Sequence, residues 1–179
     1  MKTRGTIIRR TALTETSLIV HWCCEEHGIV KTVAKGARRP KSPFAGKLDL
    51  FYRCEAEVHP ARSGDLHILR EVALLQPRLG LRRSYLQTLA AAHFVKLVER
   101  VSEPETPLPE IAGLLERGLD YLDGAEITWR AVERFETRLA SILGVARLDA
   151  PAIHSLAEAF GAMPPQRAEL AARLEQRTK

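Results

Sequence analysis

Lys35, Arg38, Arg39, Lys41 and Lys47 fall in one stretch, Ala34-Lys-Gly-Ala-Arg-Arg-Pro-Lys-Ser-Pro-Phe-Ala-Gly-Lys47, that contains no acidic residue. Its prolines and glycines disfavour both helix and strand, so it reads as a loop from which the charged side chains project. Cations grouped without counter-charges attract a polyanion. A phosphate backbone satisfies them through counterion release, whatever its base sequence. A merely solvated basic loop is the competing reading of any such run. Arg9 and Arg10 on the first strand and Arg62 at the tip of the last hairpin extend the set. Sequence-tolerant binders usually add aromatic platforms, for which Trp22, Phe44, Phe51 and Tyr52 are at hand. Trp22 shares parity with Leu18 and Val20, which assigns it to a core, so electrostatics are expected to outweigh stacking.

Other chemistries lack their residues. There is no phosphate-cradling glycine loop, no G-x-S-x-G and no carboxylate cluster suited to two metals, so the chain does not read as an enzyme. Cys23, Cys24 and Cys54 offer no paired spacing and read as reduced thiols; no zinc site and no cofactor are expected. His59 and His67 could face each other across the last hairpin as a surface pair, and His93 sits in an apolar helical face as a satisfied buried histidine.

The elements that must position the basic loop change period along the chain. Gly5 to Thr11, Ser17 to Cys24, Gly28 to Ala34, Leu50 to Val58 and Asp65 to Leu75 read as five short strands, the number of a small oligonucleotide-binding (OB) barrel. In Leu50 to Val58, one parity gives Leu50, Tyr52, Cys54, Ala56 and Val58, a buried face. From Pro77 onward helical spacing takes over. Helices are expected over Leu81 to Val101, Pro109 to Leu122 and from Trp129 to a stop at Gly144, with two shorter ones starting at Pro151 and at Pro164-Pro165. The fold class is therefore β then α: an OB domain over 1–79 and a helical domain over 80–179, with the boundary near Gln76 to Gly80.

Charge divides along the same line. Residues 1–80 carry 14 Lys and Arg against 8 Asp and Glu, whereas residues 81–179 carry 13 against 14. One module is thus built to meet a polyanion, and the other is not. Within the second half, Arg82, Arg83, Arg130 and Arg134 are the cations that an acidic tail would meet. No apolar stretch is long enough to span a bilayer and no apolar leader core follows Met1, so a soluble cytoplasmic protein is expected.

Gly5-Thr-Ile-Ile-Arg-Arg-Thr-Ala-Leu-Thr-Glu-Thr-Ser-Leu-Ile-Val20, Glu26-His-Gly-Ile-Val30, Val33-Ala-Lys-Gly-Ala-Arg-Arg-Pro-Lys-Ser42 and Phe44-Ala-Gly-Lys-Leu48 together resemble the start of the RecO family. Leu81-Arg-Arg-Ser-Tyr85 and Arg134-Phe-Glu-Thr-Arg-Leu-Ala-Ser-Ile-Leu-Gly144 continue the resemblance more weakly. It implies a barrel followed by a helical domain, DNA repair and homologous recombination, strand annealing, and work with the RecR clamp and single-stranded-DNA-binding protein. It also implies phosphate contacts at Lys35, Arg38, Arg39 and Lys41. Many members follow the F-E-x-R-L helix with a four-cysteine zinc module, where Val145-Ala-Arg-Leu-Asp-Ala-Pro-Ala-Ile153 here leads directly to the closing helices. Two functions follow: a mediator that binds and anneals single- and double-stranded DNA, or an adaptor that recruits RecR to protein-coated single strands and binds DNA weakly itself.

Overall fold

The computed structural model describes residues 1–177; residues 178 and 179 of the expected helical domain lie outside the described residues. Residues Met1–Arg78 with Ser102–Ala112 form one compact unit, and Leu79–Val101 with the chain from Gly113 onward form another.

In the first unit, β1 (Lys2–Ala12), β2 (Leu18–Cys24), β3 (Gly28–Ala34), β4 (Arg53–His59) and β5 (Leu66–Gln76) close a barrel in the order β1-β2-β3-β5-β4. The β3–β5 pair is parallel and the others are antiparallel, the arrangement of an OB fold. Alternation explains the strands: Val20, Trp22 and Cys24, and likewise Cys54, Ala56 and Val58, point into one core. Trp22 is buried as its parity requires, and its indole N–H donates to Thr32 Oγ1 at 2.8 Å. The strand expected from Leu50 begins only at Arg53, because Phe51 adopts a φ of 70° in a turn closed by Tyr52 N–H to Asp49 O at 3.2 Å and tied to β1 by Phe51 N–H to Ile7 O at 2.8 Å. A bulge in β1 between Ile7 and Arg9 lets the consecutive residues Ile7 and Ile8 both be buried. Gly5 lies between Cys24 and Cys54 in the register, and a Cβ there would stand 2.7 Å from both Cys23 O and Cys24 Sγ, so only glycine fits.

The segment after Val101, which the sequence marks only as a helix breaker, belongs to the barrel. Pro104 bridges Ile29 in parallel, and Glu105 N–H donates to Ile29 O at 3.1 Å. His67 does not pair with His59. Its Nδ1 accepts from Ala61 N–H at 3.0 Å, which leaves Nε2 to face Glu105 Oε1 at 3.0 Å. Gly28, at a φ of 63°, has Thr106 O only 2.0 Å from where a Cβ would lie.

In the second unit, a 3₁₀ turn (Leu79–Arg82) precedes α1 (Tyr85–Val101), followed by α2 (Pro109–Gly124, its first turn in the barrel unit), α3 (Trp129–Ile142), α4 (Ala152–Phe160) and α5 (Gln166–Arg177). Ser84 caps the start of α1. Its Oγ accepts from Gln87 N–H at 3.2 Å and donates to Gln87 Oε1 at 2.9 Å. Thr128 caps α3, and Gly144 just beyond its end takes a φ of 70°. Phe94 of α1 stacks on Phe135 of α3 with ring centroids 3.8 Å apart. Both rings crowd Gly118 of α2, where a Cβ would sit 3.0 Å from Phe135, which explains a glycine inside that helix.

His93 and Glu136 form the polar centre of this unit. His93 Nε2 lies 2.9 Å from Glu136 Oε1, and Arg167 of α5 reaches the same carboxylate through Nε at 2.8 Å and Nη2 at 3.0 Å. Burial by itself would push the Glu136 carboxyl up, but the hydrogen bonds from His93 and Arg167, with the Arg167 charge, outweigh it and hold it below the usual carboxylate range. Arg167 also covers the Trp129 ring at 4.7 Å.

Candidate nucleic-acid interface

The chain between β3 and β4 is an ordered succession of turns. Ala37, Arg39, Ser42, Ala45 and Lys47 each donate a backbone N–H to the carbonyl three residues earlier. Phe44 and Leu48 pin the loop down by burying their side chains in the barrel core. The order costs less conformational entropy because Pro40 and Pro43 fix their own φ. Lys35, Arg38, Arg39 and Lys41 are exposed along it, and Lys47 is half-buried where its carbonyl meets Cys54 Sγ at 3.6 Å. Burial pushes that thiol up to about 12, with Arg78 partly opposing, so Cys54 stays a neutral donor.

The loop is fastened to the turn between β1 and β2. Arg38 N–H donates to Thr16 O at 2.9 Å, Arg38 Nη1 to Thr14 O at 3.1 Å, and Gly36 N–H to Ser17 Oγ at 3.3 Å. Thr14 Oγ1 in turn accepts from Thr16 and Ser17 N–H at 3.3 and 3.1 Å, which rigidifies the turn. Arg10 braces the loop's exit. It donates to Leu48 O and pairs with Asp49 at 2.9 Å, so its charge is already compensated.

The sequence-derived cations therefore separate along the strands. Ala12 pairs with Leu18 and Leu18 with Ala34, so the end of β1 and the loop share one end of the strands, with Arg10 joined to the loop's exit, while Arg9 lies at mid-strand. Arg62 lies in the turn before Leu66, and Leu66 pairs in parallel with Lys31, which puts Arg62 toward the other end. The register also aligns Arg9 with His21 and His21 with Lys31 on the outer face, a row that alternation allows but only strand pairing reveals. Lys31 pairs with Asp65 at 2.6 Å.

None of the four candidate aromatics is an open platform. Trp22, Phe44 and Phe51 are buried, and Tyr52 packs against the core. What the loop offers a ligand is charge in a fixed arrangement. Charge of this kind suits phosphates or other oxyanions, whereas these buried rings do not suit the stacking of bases. In the described residues there is no group of three or more His, Cys, Asp or Glu placed to hold a metal ion, and no helix is long and apolar enough to cross a membrane.

Residues 1–78 match the family model described as Recombination protein O N terminal. The chain is similar to the DNA repair protein RecO of Idiomarina loihiensis, 32% identical over 149 residues that cover 82% of this chain and 62% of that protein. It is also similar to those of Salinibacter ruber, 33% identical over 150 residues (82% of this chain, 56% of the relative), and Rhodopirellula baltica, 27% identical over 138 residues (77% and 51%). The chain thus spans between 51% and 62% of the length of these relatives.

Proposed function

Because this chain belongs to the RecO family, we propose that it serves DNA repair and homologous recombination by holding DNA at the basic end of its barrel. The observation that carries this reading is the loop of residues 35–47: acid-free, pinned by Phe44 and Leu48, with Lys35, Arg38, Arg39 and Lys41 exposed on it. A preformed array of cations loses little entropy on meeting a phosphate backbone, and it reads no bases. Arg9 and Lys47 extend the path; Arg10, already paired with Asp49, supports the loop more than the ligand; Arg62 contributes from the other end of the strands.

Annealing follows from the same electrostatics. Neutralising phosphates lowers the repulsion between two strands, so complementary bases meet more often, with no bond made or broken by a side chain. Loading of a recombinase together with RecR, and exchange with single-stranded-DNA-binding protein, are the partner steps this reading assigns to the chain.

The test replaces Arg38, Arg39 and Lys41 together with Ala and measures affinity for unstructured single strands across salt concentrations. Each lost phosphate contact makes the slope of log K against log salt shallower by about 0.7, so three remove about 2. Strands of unlike sequence should weaken equally. A triple variant that melts normally and keeps the parent slope overturns the loop as the DNA site and favours the adaptor reading, in which the chain recruits RecR with weak DNA binding of its own.

A further inference from the structure

The helical unit carries a second array of cations that its own fold does not use. Arg130, Arg134 and Arg138 stand at four-residue intervals on α3, and with Glu133 and Thr137 they line a shallow groove of about 340 Å³. Residues spaced by four share one helix face and are about 6 Å apart along the axis. Among the described residues, no ion pair engages any of the three guanidinium groups, although the same unit pairs Arg147 with Asp149 and Glu158, Arg167 with Glu136 and Arg173 with Glu169. Like charges at this spacing destabilise a helix, and Arg130, in the first turn, also opposes the positive end of the helix dipole. Glu133, one acid among three arginines, offsets only part of this repulsion. Stability does not account for the stripe, and a ligand that brings negative charge does.

We propose that this stripe is a second phosphate-binding surface, for the backbone of a second nucleic-acid strand. Two features favour a strand over an acidic peptide. The repeat of the arginines along α3 is of the same order as the spacing of neighbouring phosphates on an extended strand. Peptide grooves anchor apolar or aromatic side chains, and no such residue lines this one. Residues 81–179 are close to neutral overall, so the site is local, and its affinity is weaker than that of the loop. The inference rests on the annealing role proposed above: with one strand on the barrel loop and one on α3, a single chain holds two strands at once.

The experiment uses the whole chain and two non-complementary oligonucleotides carrying a fluorescence donor and acceptor. Energy transfer between them reports that both strands occupy one protein; a parallel assay follows annealing of complementary strands. In Arg130→Ala/Arg134→Ala/Arg138→Ala, binding of the first strand should stay within about twofold of the parent. Second-strand capture should weaken at least tenfold, with its salt slope shallower by about 2. Annealing should slow in parallel. The corresponding triple Lys variant keeps the charges and should keep the second-strand salt slope, which a merely structural role for the arginines would not require. Alanine suits an exposed helix face, so the variant should fold, and melting checks this.

Second-strand capture and annealing at parent levels in the triple Ala variant overturn the proposal. So does an Asp- and Glu-rich peptide that binds the parent but not the variant and is not displaced by saturating oligonucleotide, since the stripe would then be a peptide site. The two readings fail separately: an unchanged first-strand slope in the loop variant sinks the barrel site, and an unchanged second-strand slope in the α3 variant sinks this one.

Discussion

In the barrel, Arg78 is buried and donates to Thr6 Oγ1 and Phe51 O, each at 2.9 Å, while the cations that give this half its positive balance stand exposed on the loop of residues 35–47. In the helical unit a carboxylate is buried instead: Glu136, 2% exposed, lies between the buried His93 and the partly exposed Arg167, and residues 81–179 are near charge balance. The difference shows two uses of the same residue types. A charge held inside with its partners specifies how helices dock, whereas charges held outside without partners are available to a ligand.

Each unit contains one of the chain's two tryptophans, Trp22 in the barrel and Trp129 beside Arg167, so unfolding of the two regions can be followed separately in Trp22→Phe and Trp129→Phe backgrounds. The largest expected effect comes from Glu136→Ala, which leaves the buried His93 ring and the partly exposed Arg167 guanidinium without their partner. It should cost about 3 kcal/mol in the transition reported by Trp129. A loss shared equally by the Trp22 transition would break the division between the regions.

Gly28→Ala is next. It forces a Cβ toward Thr106 O at a φ of 63°, so the segment of residues 102–112 must leave β3 or the turn must distort, at about 1–3 kcal/mol in the Trp22 transition. An unchanged melting curve would mean that this segment adds nothing to the barrel's stability.

Acid sharpens the contrast. The folded-state pKa of Glu136 is depressed, so its contribution is complete above the ordinary glutamate value of about 4.3 and is lost as pH falls from there through the folded value. The Trp129 transition should therefore weaken with acid more steeply than the Trp22 transition. Glu136→Gln should flatten that difference; if it does not, the pH dependence belongs to exposed carboxylates such as Asp149 and Glu169.

The smallest effect separates paired from unpaired cations within the barrel's basic end. Arg10→Ala removes a partly exposed pair with Asp49 and should cost no more than about 0.5 kcal/mol. It should also change the salt slope for single strands by less than the roughly 0.7 expected for an uncompensated cation such as Arg39. Equal changes for the two would mean that Asp49 does not compensate Arg10 in the complex.

Local pattern in the sequence determined the five strands, the five helices and the acid-free loop, because alternation, helical spacing and the placement of proline and glycine act over a few residues. It also placed Trp22 in the core and stopped α3 before Gly144. Tertiary structure alone decided which of the cations stand together. Strand register leaves Arg9 at mid-strand and Arg62 toward the end away from the loop, Arg10 is compensated by a residue 39 positions away, and Arg138 joins Arg130 and Arg134 in a row with which no described carboxylate forms an ion pair. The partners of Glu136 came from helices α1 and α5, and those of His67 from residues 61 and 105. Long-range pairing depends on how distant segments pack, and the hydrophobic period that reveals an element says nothing about which charged residue on another element will face it.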